Sequence, residues 1–166
     1  MPDSSADFVI SAHVIEHLRD PIGAIVNGFR VLKPGEVYII VIPEMRRTFD
    51  RGRPETTVAH ALRDFADGGD SSCCQAYEEH LRFVHPYLTG EHYDDAEIVR
   101  QASESARRWR DFDAHFHAWT REGFEALLKR TMEIVPFGIE EVVSVANENI
   151  FVLRKDRGAE GASARC

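Results

Sequence analysis

His13, Glu16 and His17 crowd into the run His-Val-Ile-Glu-His, and all three side chains can bind a metal ion or move a proton. On a helical turn, residues three and four apart share a face, so His13 can meet both Glu16 and His17. Two imidazoles and one carboxylate suit a divalent metal with open coordination positions. The structural alternative is that Glu16 and His17 cap and pack the turn. A second constellation is His115-Phe116-His117-Ala118-Trp119, where a period of two places both histidines on one face. Either imidazole can complete a metal site or act as a general base toward a hydroxyl nucleophile. The alternative there is a structural strand with hydrogen-bonded imidazoles. The candidate bases are therefore His13 and His117, and the candidate metal ligands are His13, Glu16, His17 and His115. His60, His80, His85 and His92 show no partner spacing and are expected at the surface or the core edge. Arg46, Arg47, Arg51 and Arg53, with Lys33 earlier in the chain, can hold a substrate phosphate or carboxylate, or form a solvated basic loop.

The elements that must position these residues are legible in the apolar pattern. Phe8-Val9-Ile10 is a short continuous apolar run, as in a strand covered on both faces. From Pro21 to Leu32 the spacing of Ile22, Ile25, Val26, Phe29 and Leu32 predicts a helix, with Asp20 as N-cap and Pro21 at its first position. Pro34 and Gly35 fit the centre of a type II turn leading into a buried strand over Val37–Ile42. Strand, helix, turn and strand make one βαβ unit with a parallel pair and a right-handed crossover. Three helical stripes follow: Val58, Leu62, Phe65; then Tyr77, Leu81, Val84, Leu88; then Ile98, Ala102, Ala106, Trp109. Thr120 caps a further helix with Phe124, Leu127 and Leu128 inward. Strands are expected near 138–146 and 149–154, joined by a turn over Asn147-Glu148-Asn149.

A chain of 166 residues with 43% hydrophobic and 29% charged residues suits one globular domain. Its formal net charge of −8 opposes general binding to nucleic acid. The absence of a membrane-length apolar run and of a leader pattern at Met1-Pro2-Asp3-Ser4-Ser5 makes a cytoplasmic protein without membrane contact the expectation. Cys73, Cys74 and Cys166 form neither a disulfide framework nor a C-x-x-C pair, so free thiols are expected.

The ordered set Asp7-Phe8-Val9-Ile10, Glu16-His17-Leu18, Asp20-Pro21, Leu32-Lys33-Pro34-Gly35 and Val37–Pro43 resembles the class I S-adenosylmethionine-dependent methyltransferase family. It is similar there to the fourth strand, a Glu-His-Leu turn, a helix start, a Lys-Pro-Gly turn and the fifth strand. Glu36 stands where that family usually has a second glycine. The resemblance covers most of the chain up to Lys155 and implies an α/β, partial Rossmann-like fold. That fold would lack the family's N-terminal βαβαβ half and would carry a helical insertion, about 44–119, where relatives commonly have a lid. The expected organisation is a domain over 1–155 and a disordered tail over 156–166. The implied activity is methyl transfer to oxygen or nitrogen of a small molecule, with Ser11 and Ala12 lining one wall of the cofactor site at the strand's carboxyl end. No G-x-G-x-x-G occurs in the sequence, so an isolated monomer is expected to bind S-adenosylmethionine poorly and to be inactive. A non-catalytic binding or interaction module is the alternative. Some O-methyltransferases of the family have a Glu-x-x-Glu-His metal site, and here His13 replaces the first Glu. The same run also matches the H-x-x-E-H pattern of inverted zinc peptidases, which need it on one continuous helix. Finally, the strand edge at Asp7–Ser11 has no lysine, proline or inward charge to discourage pairing, so a homodimer through that edge is expected.

Overall fold

The computed structural model describes residues 1–108 and 114–158. Strand β1 (Ala6–Ala12) leads through a single 3-10 turn (Ile15–His17) into α1 (Pro21–Val31) and β2 (Leu32–Pro43). As expected, the Asp20 carboxylate accepts the Gly23 N–H at 2.7 Å and Pro21 occupies the first turn, where its missing N–H costs nothing. Ile22, Ile25 and Phe29 are buried beneath the sheet. Gly28 lies against Tyr38, where a Cβ would sit 2.4 Å from the ring. Strand β2 begins five residues earlier than the apolar pattern suggests, at Leu32 rather than Val37. Ala6 pairs with Leu32 and Phe8 with Val37, so residues 33–36 bulge out. Gly35 takes φ +81°, the left-handed value that the second central position of such a turn requires.

Two 3-10 turns follow, Met45–Arg47 and Phe49–Gly52, and then the helical insertion: α2 (Val58–Asp67), α3 (Cys73–Glu79), a π-helical stretch (His80–Val84), α4 (His85–Thr89) and α5 (Asp95–Arg108). Two expectations shift here. Helix α2 buries Ala61 and Asp64 and leaves Phe65 exposed, because Asp64 turns inward to a polar cluster. Leu88 is exposed because the π-helical stretch inserts an extra residue per turn and rotates it off the stripe of Tyr77, Leu81 and Val84. Trp109, the last residue of the third stripe, lies outside the described residues, as do Cys166 and the tail beyond Gly158.

Helix α6 (Arg121–Thr131) is capped by Thr120, whose hydroxyl accepts the Gly123 N–H at 3.0 Å. Strands β3 (Phe137–Val145) and β4 (Glu148–Lys155) complete the sheet. Their turn is Ala146-Asn147, one residue earlier than expected, since Val145 pairs with Glu148. The sheet order is β1-β2-β4-β3, with β1 parallel to β2 and the other neighbours antiparallel. The main core gathers α1, α6 and the inner faces of β2 and β4 around Phe29, Ile40, Trp119, Phe124 and Phe151. A smaller core within the insertion packs Cys73, Tyr77, Leu81, Ile98, Ala102 and Ala114. Strand β1 is an edge, and it is covered on one face rather than two: Phe8 is 66% and Ile10 58% exposed. Among the described residues no helix is long and apolar enough to cross a membrane.

Candidate functional site

The site is assembled where the turn after β1 meets the segment 114–120. His13 N–H donates to Val41 O at 3.0 Å, continuing the β1–β2 pairing, and its φ of 51° turns the chain sharply out of the strand. The 3-10 turn then swings the Glu16 carbonyl toward the second segment, where it accepts from Phe116 N at 2.7 Å and from His117 N at 3.1 Å. Two pieces of chain about a hundred residues apart are thereby fixed through one oxygen.

Glu16 is 1% exposed. Neither of its carboxylate oxygens has a hydrogen-bond partner on another residue. Burial pushes its carboxyl up; the charges of His115, His17 and His13 and its own backbone N–H oppose that rise without cancelling it. Ligating atoms of Glu16, His17 and His115 lie within 4.8 Å of one another. The His17 and His115 rings meet edge to face, centroids 4.5 Å apart. His115 Nδ1 is 2.6 Å from Asp50 Oδ2, and His17 Nδ1 is 3.2 Å from the Ala114 carbonyl. Acceptors in these places set tautomer and ring orientation, as they do for histidines that ligate metals.

Behind His115 lies a buried ionic relay. Arg53, its side chain 1% exposed, donates to Asp50 Oδ1 (3.1 Å), Glu79 Oε2 (3.1 Å), and the carbonyls of His115 (2.8 Å) and Phe116 (3.3 Å). Burial alone would raise the Asp50 carboxyl, but the His115 hydrogen bond and charge and the Arg53 guanidinium outweigh it and hold it below its usual range.

Of the expected ligands, Glu16, His17 and His115 come together and His13 does not join them. The i, i+4 face that would unite His13 with His17 never forms, because the helical turn is only Ile15–His17 and His13 precedes it in a left-handed conformation. His13 is 43% exposed and faces Glu148 Oε1 at 2.7 Å and Glu16 Oε1 at 3.5 Å. The single short turn also removes the continuous helix that the peptidase motif needs. His115 and His117 part company at a bend at Phe116 and enter different clusters. His117 is buried, stacked on Trp119 with centroids 5.1 Å apart, its Nε2 3.3 Å from Arg19 O. Burial lowers its pKa to about 4, against the opposing pull of Asp64 and the Arg19 carbonyl.

Ser11 and Ala12 stand at the carboxyl end of β1, Ser11 buried and Ala12 exposed. The arginine run does not form one anion cradle. Arg53 is internal, and Arg51 lies over the Tyr87 ring at 4.8 Å. Arg46 and Arg47 line a surface cavity of about 260 Å³ whose wall also carries Glu44 and Glu122. Lys33 pairs with Asp7 at 2.5 Å. Sequence reasoning missed Asp50, Arg53, Asp64 and His60 as members of buried clusters. Asp50 and Arg53 stand three apart and His60 and Asp64 four apart, so helical pair spacing was the available signal.

Residues 1–40 match the family model described as "Methyltransferase domain". A probable S-adenosylmethionine-dependent methyltransferase of Mycolicibacterium smegmatis is 45% identical over 53 residues, which are 32% of this chain and 20% of that protein. Among solved structures, a possible histamine N-methyltransferase of Thermotoga maritima aligns at TM-score 0.47 and 14% identity, over 94% of this chain and 59% of that one. A Pyrococcus horikoshii protein aligns at TM-score 0.48 and 20% identity, over 94% and 57%. The chain thus spans about a fifth of the curated relative and less than two thirds of these solved chains. The strand, the Glu16-His17-Leu18 turn, the Asp20-Pro21 helix start and the Pro34-Gly35 bulge all fall inside the matched region, and that part of the chain is similar to S-adenosylmethionine-dependent methyltransferases.

Proposed function

We propose that this chain forms the acceptor side of an S-adenosylmethionine-dependent methyl transfer to oxygen or nitrogen of a small molecule, with Glu16, His17 and His115 holding a divalent cation. The observation that supports it is the Glu16 carboxylate: two buried oxygens without a hydrogen-bond partner on another residue, facing two imidazoles whose Nδ1 atoms already have acceptors. Leaving a buried carboxylate oxygen unmatched costs about 1–3 kcal/mol or more, a cost that a cation removes. Such an ion would orient the acceptor and lower the pKa of its hydroxyl. The donor set of one carboxylate and two imidazoles fits that group.

The remaining steps belong to the chain. His13, exposed and flanked by Glu148 and Glu16, is the base, positioned to take a proton from the acceptor. His117, buried against Trp119, is not open to an acceptor. Ser11 and Ala12 at the end of β1 fit one wall of the cofactor site, and Ala12 leaves the backbone accessible there. The sulfonium of S-adenosylmethionine supplies an electrophilic methyl group, so alignment is the main demand on the protein.

Calorimetric titration with Mn²⁺, followed by S-adenosylmethionine or its demethylated product, tests the reading. One equivalent of Mn²⁺ lost in Glu16→Gln and His115→Ala, together with cofactor heat, supports it. Mn²⁺ uptake unchanged in both variants refutes the metal site. Metal binding without cofactor heat leaves a binding module in place of the transferase.

A further inference from the structure

His60, Asp64 and His117 form a second cluster that shares no ligand with the first. Asp64 is fully buried, and its Oδ1 accepts from Ser72 Oγ at 2.6 Å. Its Oδ2 has no hydrogen bond of acceptable geometry, yet lies 3.2 Å from His60 Nε2 and 3.7 Å from His117 Nε2. Ligating atoms of the three residues all fall within 4.8 Å of one another. Two imidazoles thus converge on one dry carboxylate oxygen; His117 Nε2 also lies 3.3 Å from the Arg19 carbonyl, so its ligation of a cation requires the ring proton to move to Nδ1, which has no hydrogen-bond partner.

A cation accounts for that convergence. With metal–ligand bonds of about 2.0 Å at tetrahedral angles, ligating atoms stand about 3.3 Å apart. The observed 3.2 and 3.7 Å from Asp64 Oδ2 bracket this edge, and the third separation lies within 4.8 Å, so side-chain adjustment can bring all three atoms onto one ion. Imidazole and carboxylate donors in a tetrahedral frame favour Zn²⁺ over Mg²⁺ or Ca²⁺, which prefer oxygen. His60 and Asp64 lie four apart on one face of α2, and Ser72 steadies the carboxylate from behind, in the place of an outer-shell partner. The His60 side chain is 15% exposed and gives an ion and a fourth, water ligand a way in.

We propose that His60, Asp64 and His117 bind one zinc-type divalent cation that fastens α2 to the segment 114–120. This inference stands apart from methyl transfer and from the Glu16 cluster. The test uses the full chain without an affinity tag, stripped with chelator and reloaded with Co²⁺ or Zn²⁺. His115→Ala, which disables the first cluster, is expected to keep one equivalent of Co²⁺ with the intense visible bands of tetrahedral cobalt. Adding His60→Gln or Asp64→Asn should weaken that binding at least tenfold and abolish the rise in melting temperature on adding Zn²⁺. In the otherwise native chain, His60→Gln should lower bound cobalt by one equivalent while far-ultraviolet circular dichroism stays unchanged. Cobalt uptake indifferent to His60→Gln, or no tetrahedral spectrum in His115→Ala, overturns the proposal. Uptake indifferent to His115→Ala but sensitive to His60→Gln supports it and removes only the Glu16 site.

Discussion

Replacing Arg53 tests whether the buried relay holds the site together. Its guanidinium spans four acceptors: carboxylates of Asp50 and Glu79, and carbonyls of His115 and Phe116. In Arg53→Met the side-chain volume survives, but the buried Asp50 charge loses its cationic partner and two carbonyls lose a donor. Removing one member of a buried ion pair typically costs about 3–5 kcal/mol. For a domain of this size that corresponds to a fall in melting temperature of roughly 10 °C. Arg53→Lys keeps the charge but offers one compact ammonium instead of a planar fork, so about 2 kcal/mol should stay lost. Urea denaturation followed by tryptophan fluorescence measures both, since Trp119 adjoins His117 in the same segment. Because Asp50 is held below its usual range, the stability it contributes is present above its unfolded pKa near 3.8 and disappears as pH falls through the lower folded value. The Arg53→Met deficit should therefore shrink in acid. A loss under about 1 kcal/mol at neutral pH, or a lysine variant as stable as the native chain, refutes the relay.

Three further outcomes are expected. Burial, ahead of the Arg53 charge, lowers the His80 pKa to about 4, so its contribution is present above 6.5 and lost as pH falls toward 4; His80→Gln should flatten the stability–pH curve there by on the order of 2 kcal/mol, and an unchanged slope contradicts this. Thr120→Ala removes the α6 cap and the hydroxyl that donates to Glu55 at 2.5 Å, and should cost about 1–2 kcal/mol by thermal denaturation, with no change counting against the cap. The unpaired edge of β1, with Phe8 and Ile10 exposed, should pair with a second copy of the chain; light scattering is expected to show a dimer that Ile10→Lys dissociates, and a monomer at high concentration or an unaffected dimer argues against that edge.

The βαβ unit was legible because its signals are local: an apolar run, Asp20-Pro21 at a helix start, and Pro34-Gly35 at a turn. The cap at Thr120 and the antiparallel pair after it were legible for the same reason. The site was only partly so. His17 and His115 were both candidates, yet nothing local says that residues 16 and 116 share a hydrogen bond, since such pairing is set by tertiary packing. His13 misled because its helical spacing to His17 presumes a helix, and the backbone turns through the left-handed region instead. Arg53 looked like part of a solvated basic loop because charge alone does not reveal burial. The π-helical stretch displaced Leu88 by an extra residue that periodicity cannot anticipate.

The carbonyl oxygen of Glu16 has a further consequence. It anchors Phe116 and His117, while the side chain of the same residue belongs to one cluster and the ring of His117 to the other. A movement of the 115–117 backbone cannot reposition one set of donors without disturbing the other. Two cations seated on this shared mount would be thermodynamically linked: whatever factor the first imposes on the affinity of the second, the second returns to the first.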